Sequence, residues 1–140
     1  VDITGRGLEG IRLQMQARTD QAWTETTSLT NTLNFRYGGI TWNAHRIHYD
    51  GDYTRSEEGY PAIVSNGGLS MHLMVDAALK HAKGELKGYS ARLVHPLWVG
   101  DLIEVRGENQ KDGKLKLWAA DKNGVLCGEM DLEFAQGSQA

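Results

Sequence analysis

Residues 43–53 read NAHRIHYDGDY and gather amide, imidazole, guanidinium and carboxylate side chains within eleven positions. The chain has five histidines, and two of them, His45 and His48, stand three apart here. Arg46 lies between them, Asn43 before them and Asp50 just after. Imidazole exchanges protons near neutral pH, so a histidine in such a polar stretch is a candidate acid or base. The residues alone leave two other readings open. Asn43, His45, Arg46 and Asp50 could form a loop network that only satisfies buried backbone. His45 and His48 could instead be two metal ligands on one helical turn. No cysteine pair or paired carboxylate motif accompanies them, and no metal is expected.

The elements that must position this stretch come from patterning along a chain of 140 residues, about one domain's worth. The segment WTETTSLT, 23–30, alternates weakly and reads as an edge strand. Residues 31–42 fit a strand or a short helix equally well. Asp52 reads as the N-cap of a short helix that Gly59 ends. The clearest element is LSMHLMVDAALKHAK, 69–83, a largely buried helix with Lys80, His81 and Lys83 in its last turn and Gly84 as its stop. Four strands follow over 87–99, 101–110, 114–123 and 125–134, parted by Gly100, Asp112-Gly113 and Asn123-Gly124. One helix covers one face of such a meander, so the expected fold is α+β, an antiparallel sheet wrapped around a central helix. If the first strand is an edge, two copies can pair sheet to sheet, and a homodimer is expected. A formal charge of −3 leaves no basic field for nucleic acid or anionic membrane. No apolar run reaches the ~20 residues of a membrane span, and no signal-peptide layout is seen. The single Cys127 fits a cytoplasmic location and is expected to be buried and inert.

The signature TWNAHRIHYDGDYTRSEEGYPAIVSNGG, with FRYGG before it and LVHPLWVGDLIEVRG after the helix, resembles the MaoC-like hotdog dehydratases and enoyl-thioester hydratases. It is similar in particular to the branch that reads F-R-Y-S-A-L-T-F-N-x-H-R-I-H-Y-D and then E-G-Y-P-G-L-V-V-H-G-P-L, which includes mesaconyl-CoA-type hydratases and hydroxyacyl-thioester dehydratases. The resemblance implies a single hotdog domain over 21–135, with 1–20 a poorly patterned leader, 136–140 a tail, and room for a first hotdog domain upstream of Val1. It implies an acyl-CoA or acyl-carrier-protein thioester as substrate and no cofactor. It lays Asn43 where the wider family has an acid, His45 where it has an asparagine, and His48 on the catalytic histidine. An amide cannot replace a carboxylic acid in proton transfer, so the expected roles are His48 as base and Asn43 as the holder of the water. Arg46 and Asp50 would support the loop or a charged substrate group. Ser65-Asn66-Gly67 stands where relatives have V-H-G. Gly67 and Gly68 open the long helix, and its free N–H groups would hold the thioester carbonyl. Asn66 and Tyr60 complete the expected substrate-binding set. A hotdog thioesterase using Asp76, and a non-catalytic acyl-thioester-binding subunit paired with another hotdog chain, are the alternatives.

Overall fold

The structure is a computed structural model that describes residues 15–43, 45–65 and 67–135. The leader up to residue 14, Asn66 and the tail 136–140 lie outside the described residues. The elements run β1 (Trp23–Ser28), α1 (Asn31–Ile40), one 3₁₀ turn (Arg46–His48), α2 (Gly51–Ser56), α3 (Gly67–His81), β2 (Leu86–Leu93), β3 (Leu102–Gly107), β4 (Lys114–Ala120) and β5 (Leu126–Phe134). The strands form one antiparallel sheet in the order β1-β3-β4-β5-β2.

The segment whose pattern fitted two elements is the helix α1. Its start is fixed by Thr30, whose hydroxyl accepts from the Leu33 N–H at 3.1 Å. The next helix, α2, is capped by Asp50 and not by Asp52. The Asp50 Oδ1 accepts from the Tyr53 N–H at 3.0 Å, while Asp52 falls inside the first turn. A positive φ of 74° at Gly59 lets the Tyr60 N–H return to the Thr54 carbonyl at 3.1 Å.

Helix α3 supplies the centre of the core. Met74, Ala77 and Ala78 are buried against Ile103 and Val105 of β3, Leu115, Leu117 and Ala119 of β4, and Met130, Leu132 and Phe134 of β5. The hairpin signals hold: Asp112 and Gly113 both take positive φ, the primed turn that a DG pair favours. Cys127 is buried here as expected, and burial with the nearby Asp121 charge pushes its thiol up to about 12. The other face of β4 has its own cover. Trp118 and Ala120 pack with Leu126 and Ala17, the Trp118 indole N–H donates to the Arg18 carbonyl at 3.1 Å, and the Arg18 guanidinium lies 4.4 Å over its ring. The packed domain therefore reaches back beyond residue 21, to residues 15–18.

The four-strand meander is corrected in one connection. β3, β4 and β5 follow one another, but β2 pairs with β5 at the far edge. β2 also ends at Leu93 rather than running to 99, because the Val94 and His95 N–H groups both turn onto the Cys127 carbonyl and Pro96 offers no N–H. The sheet thus has two edges, β1 as expected and β2.

Edge strand β1 is locked to the end of α3 by stacked side chains. Trp23 stands opposite Gly107, where an added Cβ would come within 2.1 Å of the indole. The indole stacks on His81 with centroids 4.0 Å apart and planes 7° from parallel. The His81 Nε2–H donates to Glu25 at 2.6 Å, and Lys80 lies 3.7 Å from the same carboxylate. His81 thus ties the last turn of α3 to a side chain of β1. The His81 hydrogen bond, aided by the Lys80 charge, holds the Glu25 carboxyl below its usual range. A carboxyl depressed on folding contributes stability above its unfolded value, and that contribution falls away as pH drops through the folded value. Thermal unfolding of wild type and Glu25→Gln across pH is expected to show the wild-type advantage in full above about pH 5, shrinking below the ordinary glutamate value of about 4.3. A constant difference down to the acid end would contradict the assignment.

Candidate active site

The candidate site is built where α1, the 3₁₀ turn and the strand-like residues before α3 meet. Asn34 is the buried polar side chain at their junction. Its Nδ2 donates to the His48 carbonyl at 2.8 Å and to the Val64 carbonyl at 3.1 Å, so one amide holds both segments. The His48 Nδ1 also bonds the Val64 carbonyl, at 2.8 Å. A carbonyl only accepts, so Nδ1 carries the proton and Nε2 keeps the lone pair. No bond engages Nε2 among the described residues. The Val64 N–H completes the junction by donating to the Ile47 carbonyl at 2.9 Å.

His48 is half-buried and lines a cavity of about 520 Å³ with Asn34, Phe35, Gly38, Gly39, Trp42, Asn43 and Tyr49. The wall is mainly apolar or glycine, with His48 as its imidazole and Asn43 as its exposed amide. Asn43 Oδ1 accepts from the His45 N–H at 3.1 Å, which leaves its Nδ2 as a donor group without a partner among the described residues. Trp42 is 93 % exposed on the rim and takes a positive φ of 59°, unusual for a bulky residue. Gly38 lies close under the loop, since an added Cβ would meet the Asn43 carbonyl at 3.1 Å, whereas Gly39 has open space around it.

The remaining predicted residues fall into distinct places. His45 caps the 3₁₀ turn, its Nδ1 accepting from the Ile47 N–H at 3.3 Å, and its ring meets His48 edge-on with centroids 6.1 Å apart. No third histidine, cysteine or carboxylate ligand joins these two among the described residues. Arg46 and Asp50 are paired to each other at 2.8 Å, and Arg46 also lies over the Tyr53 ring. With one oxygen on Arg46 and the other on the α2 N–H, the Asp50 carboxyl is held below its usual range, chiefly by that backbone hydrogen bond. It orients the helix and makes no bond to His48. Tyr60 packs on Trp98 with centroids 5.5 Å apart, and burial raises its phenol above the usual range. Neither lines the His48 cavity.

Gly67 and Gly68 form the first turn of α3, two residues beyond Ser65, which donates its N–H to the Leu97 carbonyl at 2.7 Å. An added Cβ at Gly67 would meet Leu93 at 2.9 Å, so this glycine is needed for packing against β2. Asp76 is exposed on α3, and exposed His72 bonds the Tyr37 hydroxyl at 3.0 Å. A wider depression of about 810 Å³ over β2, β4 and β5 shares no residue with the His48 cavity and is lined by Glu108, Lys111, Lys116 and Asp131 among others. Sequence reasoning missed Asn34, whose only signal was a polar residue four places after a threonine cap, on the side of the helix that turns inward.

Residues 9–99 match the family profile of hydroxyacyl-thioester dehydratase type 2. The chain is 42 % identical over 114 residues to the mesaconyl-C(4)-CoA hydratase of Chloroflexus aurantiacus, a match that covers 81 % of this chain and 40 % of that protein. It therefore spans less than half the length of this relative. A MaoC-like dehydratase from Phytophthora capsici superposes with a TM-score of 0.78 at 19 % identity, over 91 % of this chain and 45 % of that one. A chain of the ChsH1-ChsH2 complex from Mycobacterium tuberculosis superposes with a TM-score of 0.65 at 16 % identity, over 84 % of this chain and 100 % of that one. These likenesses establish the hotdog fold, and the profile match over most of the chain establishes the family: the protein belongs to the hydroxyacyl-thioester dehydratase type 2 family.

Proposed function

We propose that this domain adds water to, or removes it from, the α,β double bond of an acyl thioester, with His48 as the only proton carrier. The observation that supports this most strongly is the His48 Nδ1 bond to the Val64 carbonyl, which leaves the Nε2 lone pair of a cavity-lining histidine without a partner among the described residues. In the hydration direction a water gives its proton to Nε2 while its oxygen bonds to the β-carbon. The double-bond electrons move onto the α-carbon and the carbonyl oxygen, and Nε2–H then returns the proton to the α-carbon. Asn43 Nδ2 is the donor that holds the water oxygen, and the N-terminal end of α3 at Gly67 takes up the charge on the carbonyl oxygen. The reaction needs neither a metal nor a redox cofactor. The name of the Chloroflexus relative supports a CoA thioester as substrate.

We also infer that β2 docks a second hotdog unit, either an identical copy or a second hotdog domain or subunit. Tyr89, Ala91 and Leu93 share the inner face of the sheet with Leu132 and Met130, yet all three are exposed, although the first turn of α3 comes against Leu93 at Gly67. A sheet edge with an uncovered apolar face is an association surface. That relatives occur both as longer chains and as a complex of two named proteins supports either arrangement. The unpaired, buried Cys127 fits a reducing cytoplasm.

Loss of the enoyl chromophore from a panel of enoyl-CoA esters is the test of the reaction. His48→Ala is expected to slow it by about 10²–10⁴-fold, the usual contribution of a general base. Asn34→Ala, a positioning change, is expected to lower kcat with little change in KM. Free-thiol release with the enoyl group intact would replace this reading by a thioesterase, and acyl-CoA binding without turnover would replace it by a non-catalytic subunit. Filling the open wall by Gly39→Leu is expected to raise KM for long acyl chains more than for short ones. For the edge, light scattering of wild type is expected to give a mass above one chain, and Tyr89→Glu to lower it; a monomeric wild type would exclude pairing of identical copies.

A further inference from the structure

Outside the His48 cavity, three side chains with metal-binding atoms converge at the end of the sheet. His95 lies in the loop after β2, Asp121 at the end of β4 and Cys127 in β5. Their ligand atoms all lie within 4.8 Å of one another, and they are the one such group of three among the described residues. Cys127 is buried, while His95 and Asp121 are half-buried, so the group is anchored in the core and open on one side.

The surroundings orient each ligand. The His95 Nδ1–H donates to the Pro96 carbonyl at 2.9 Å, the kind of backbone bond that sets the tautomer of a metal-binding histidine and makes Nε2 the ligand atom. Asp121 Oδ1 accepts from the Asn123 and Val125 N–H groups at 2.8 and 3.0 Å, and Oδ2 is the remaining oxygen. The Cys127 S–H points to the Val125 carbonyl at 3.4 Å. Turn capping accounts for one oxygen of Asp121, and core packing accounts for Cys127. His95 reaches both from a third segment, the loop after β2.

We propose that His95, Asp121 and Cys127 form a site for a borderline divalent cation of the zinc type. One nitrogen, one sulfur and one carboxylate oxygen are the donors that select zinc or cobalt over magnesium or calcium. Ligands at zinc distances of ~2.0–2.3 Å stand roughly 3.5 Å apart across a tetrahedral angle, so atoms within 4.8 Å of one another need to close in by at most about an ångström on binding. The thiol releases its proton to solvent as the metal–sulfur bond forms. Solvent takes the fourth position, on the open side.

The ion joins two pieces that bear on the catalytic loop without touching it. Two residues beyond His95, the Leu97 carbonyl accepts from the Ser65 N–H, and Trp98 bridges to Val64, the residue that holds His48. A cation at His95 ties that strap to the β4–β5 turn. The role is structural, and it does not depend on the reaction proposed above.

The test is titration of the chelator-stripped 140-residue chain with Co²⁺, followed by its thiolate-to-cobalt charge-transfer absorption in the near ultraviolet. Wild type is expected to develop the band at one equivalent and to lose it on adding Zn²⁺. His95→Ala and Asp121→Asn, which leave the buried sulfur in place and whose folding circular dichroism checks, are each expected to bind Co²⁺ at least ten-fold more weakly. Cys127→Ser is expected to lose the band entirely. Zn²⁺ is also expected to raise the wild-type Tm and to leave that of His95→Ala unchanged. No charge-transfer band in wild type, or the same affinity in wild type and His95→Ala, would overturn the proposal.

Discussion

The backbone of Val64 is bonded on both sides. Its N–H reaches the Ile47 carbonyl, its C=O receives the His48 imidazole and the Asn34 amide, and the residue bridges to Trp98 across the strap that follows β2. Buried backbone groups must find partners, and here their satisfaction sets the geometry of the candidate site. Because the acceptor is a main-chain carbonyl, the tautomer of His48 does not rest on another titratable side chain. The next residue, Ser65, donates its N–H to the Leu97 carbonyl, so this backbone is tied to the strap after β2 just before α3 begins at Gly67.

This arrangement divides labour between packing and polarity. Met74, Ala77 and Ala78 hold α3 to the sheet by burial alone, which is strong but indifferent to direction. Direction is added at the two ends of the helix. At its C-terminal end, Trp23 over Gly107, His81 and Glu25 tie it to edge strand β1. At its N-terminal end, Ser65 on Leu97 and the contact of Gly67 with Leu93 tie it to β2 and its following loop. The Arg46–Asp50 pair belongs to the same scheme: it braces the 3₁₀ turn against α2, and its exposed position makes it a minor contributor to stability.

How far the sequence could be read follows from what kind of information each feature carries. Helix α3 and the two hairpins announce themselves through apolar spacing, a cationic last turn, and the DG and NG turns, all of which are local. Helix α1 does not, because its exposed face carries Phe35 and Ile40, so the apolar residues do not gather on one side. The pairing of β2 with β5 rather than β3 is a long-range choice that alternation cannot express. Residues 15–18 looked unpatterned because only Ala17 is buried, while Arg18 works through its backbone carbonyl and its ring contact with Trp118. In the site, His48 and Asn43 were legible as chemical types. Asn34 was not, since its role lies in two main-chain carbonyls that have no letter in the sequence.

The amide at position 43 shapes the chemistry more than a comparison of side-chain sizes suggests. Its oxygen is already committed to the His45 N–H, so what it offers the cavity is a donor. A donor can hold the oxygen of a water but cannot take its proton. In the proposed reaction the base that accepts the proton must then be the acid that returns it, because imidazole is the one lining group of a type that exchanges protons near neutral pH. A single nitrogen reaches only one face of the double bond. Oxygen and hydrogen are therefore delivered to the same face, and the fixed Nδ1 bond to Val64 keeps the imidazole aimed there through both transfers. The asparagine is accordingly compatible with catalysis, on the condition that the histidine beside it does not turn.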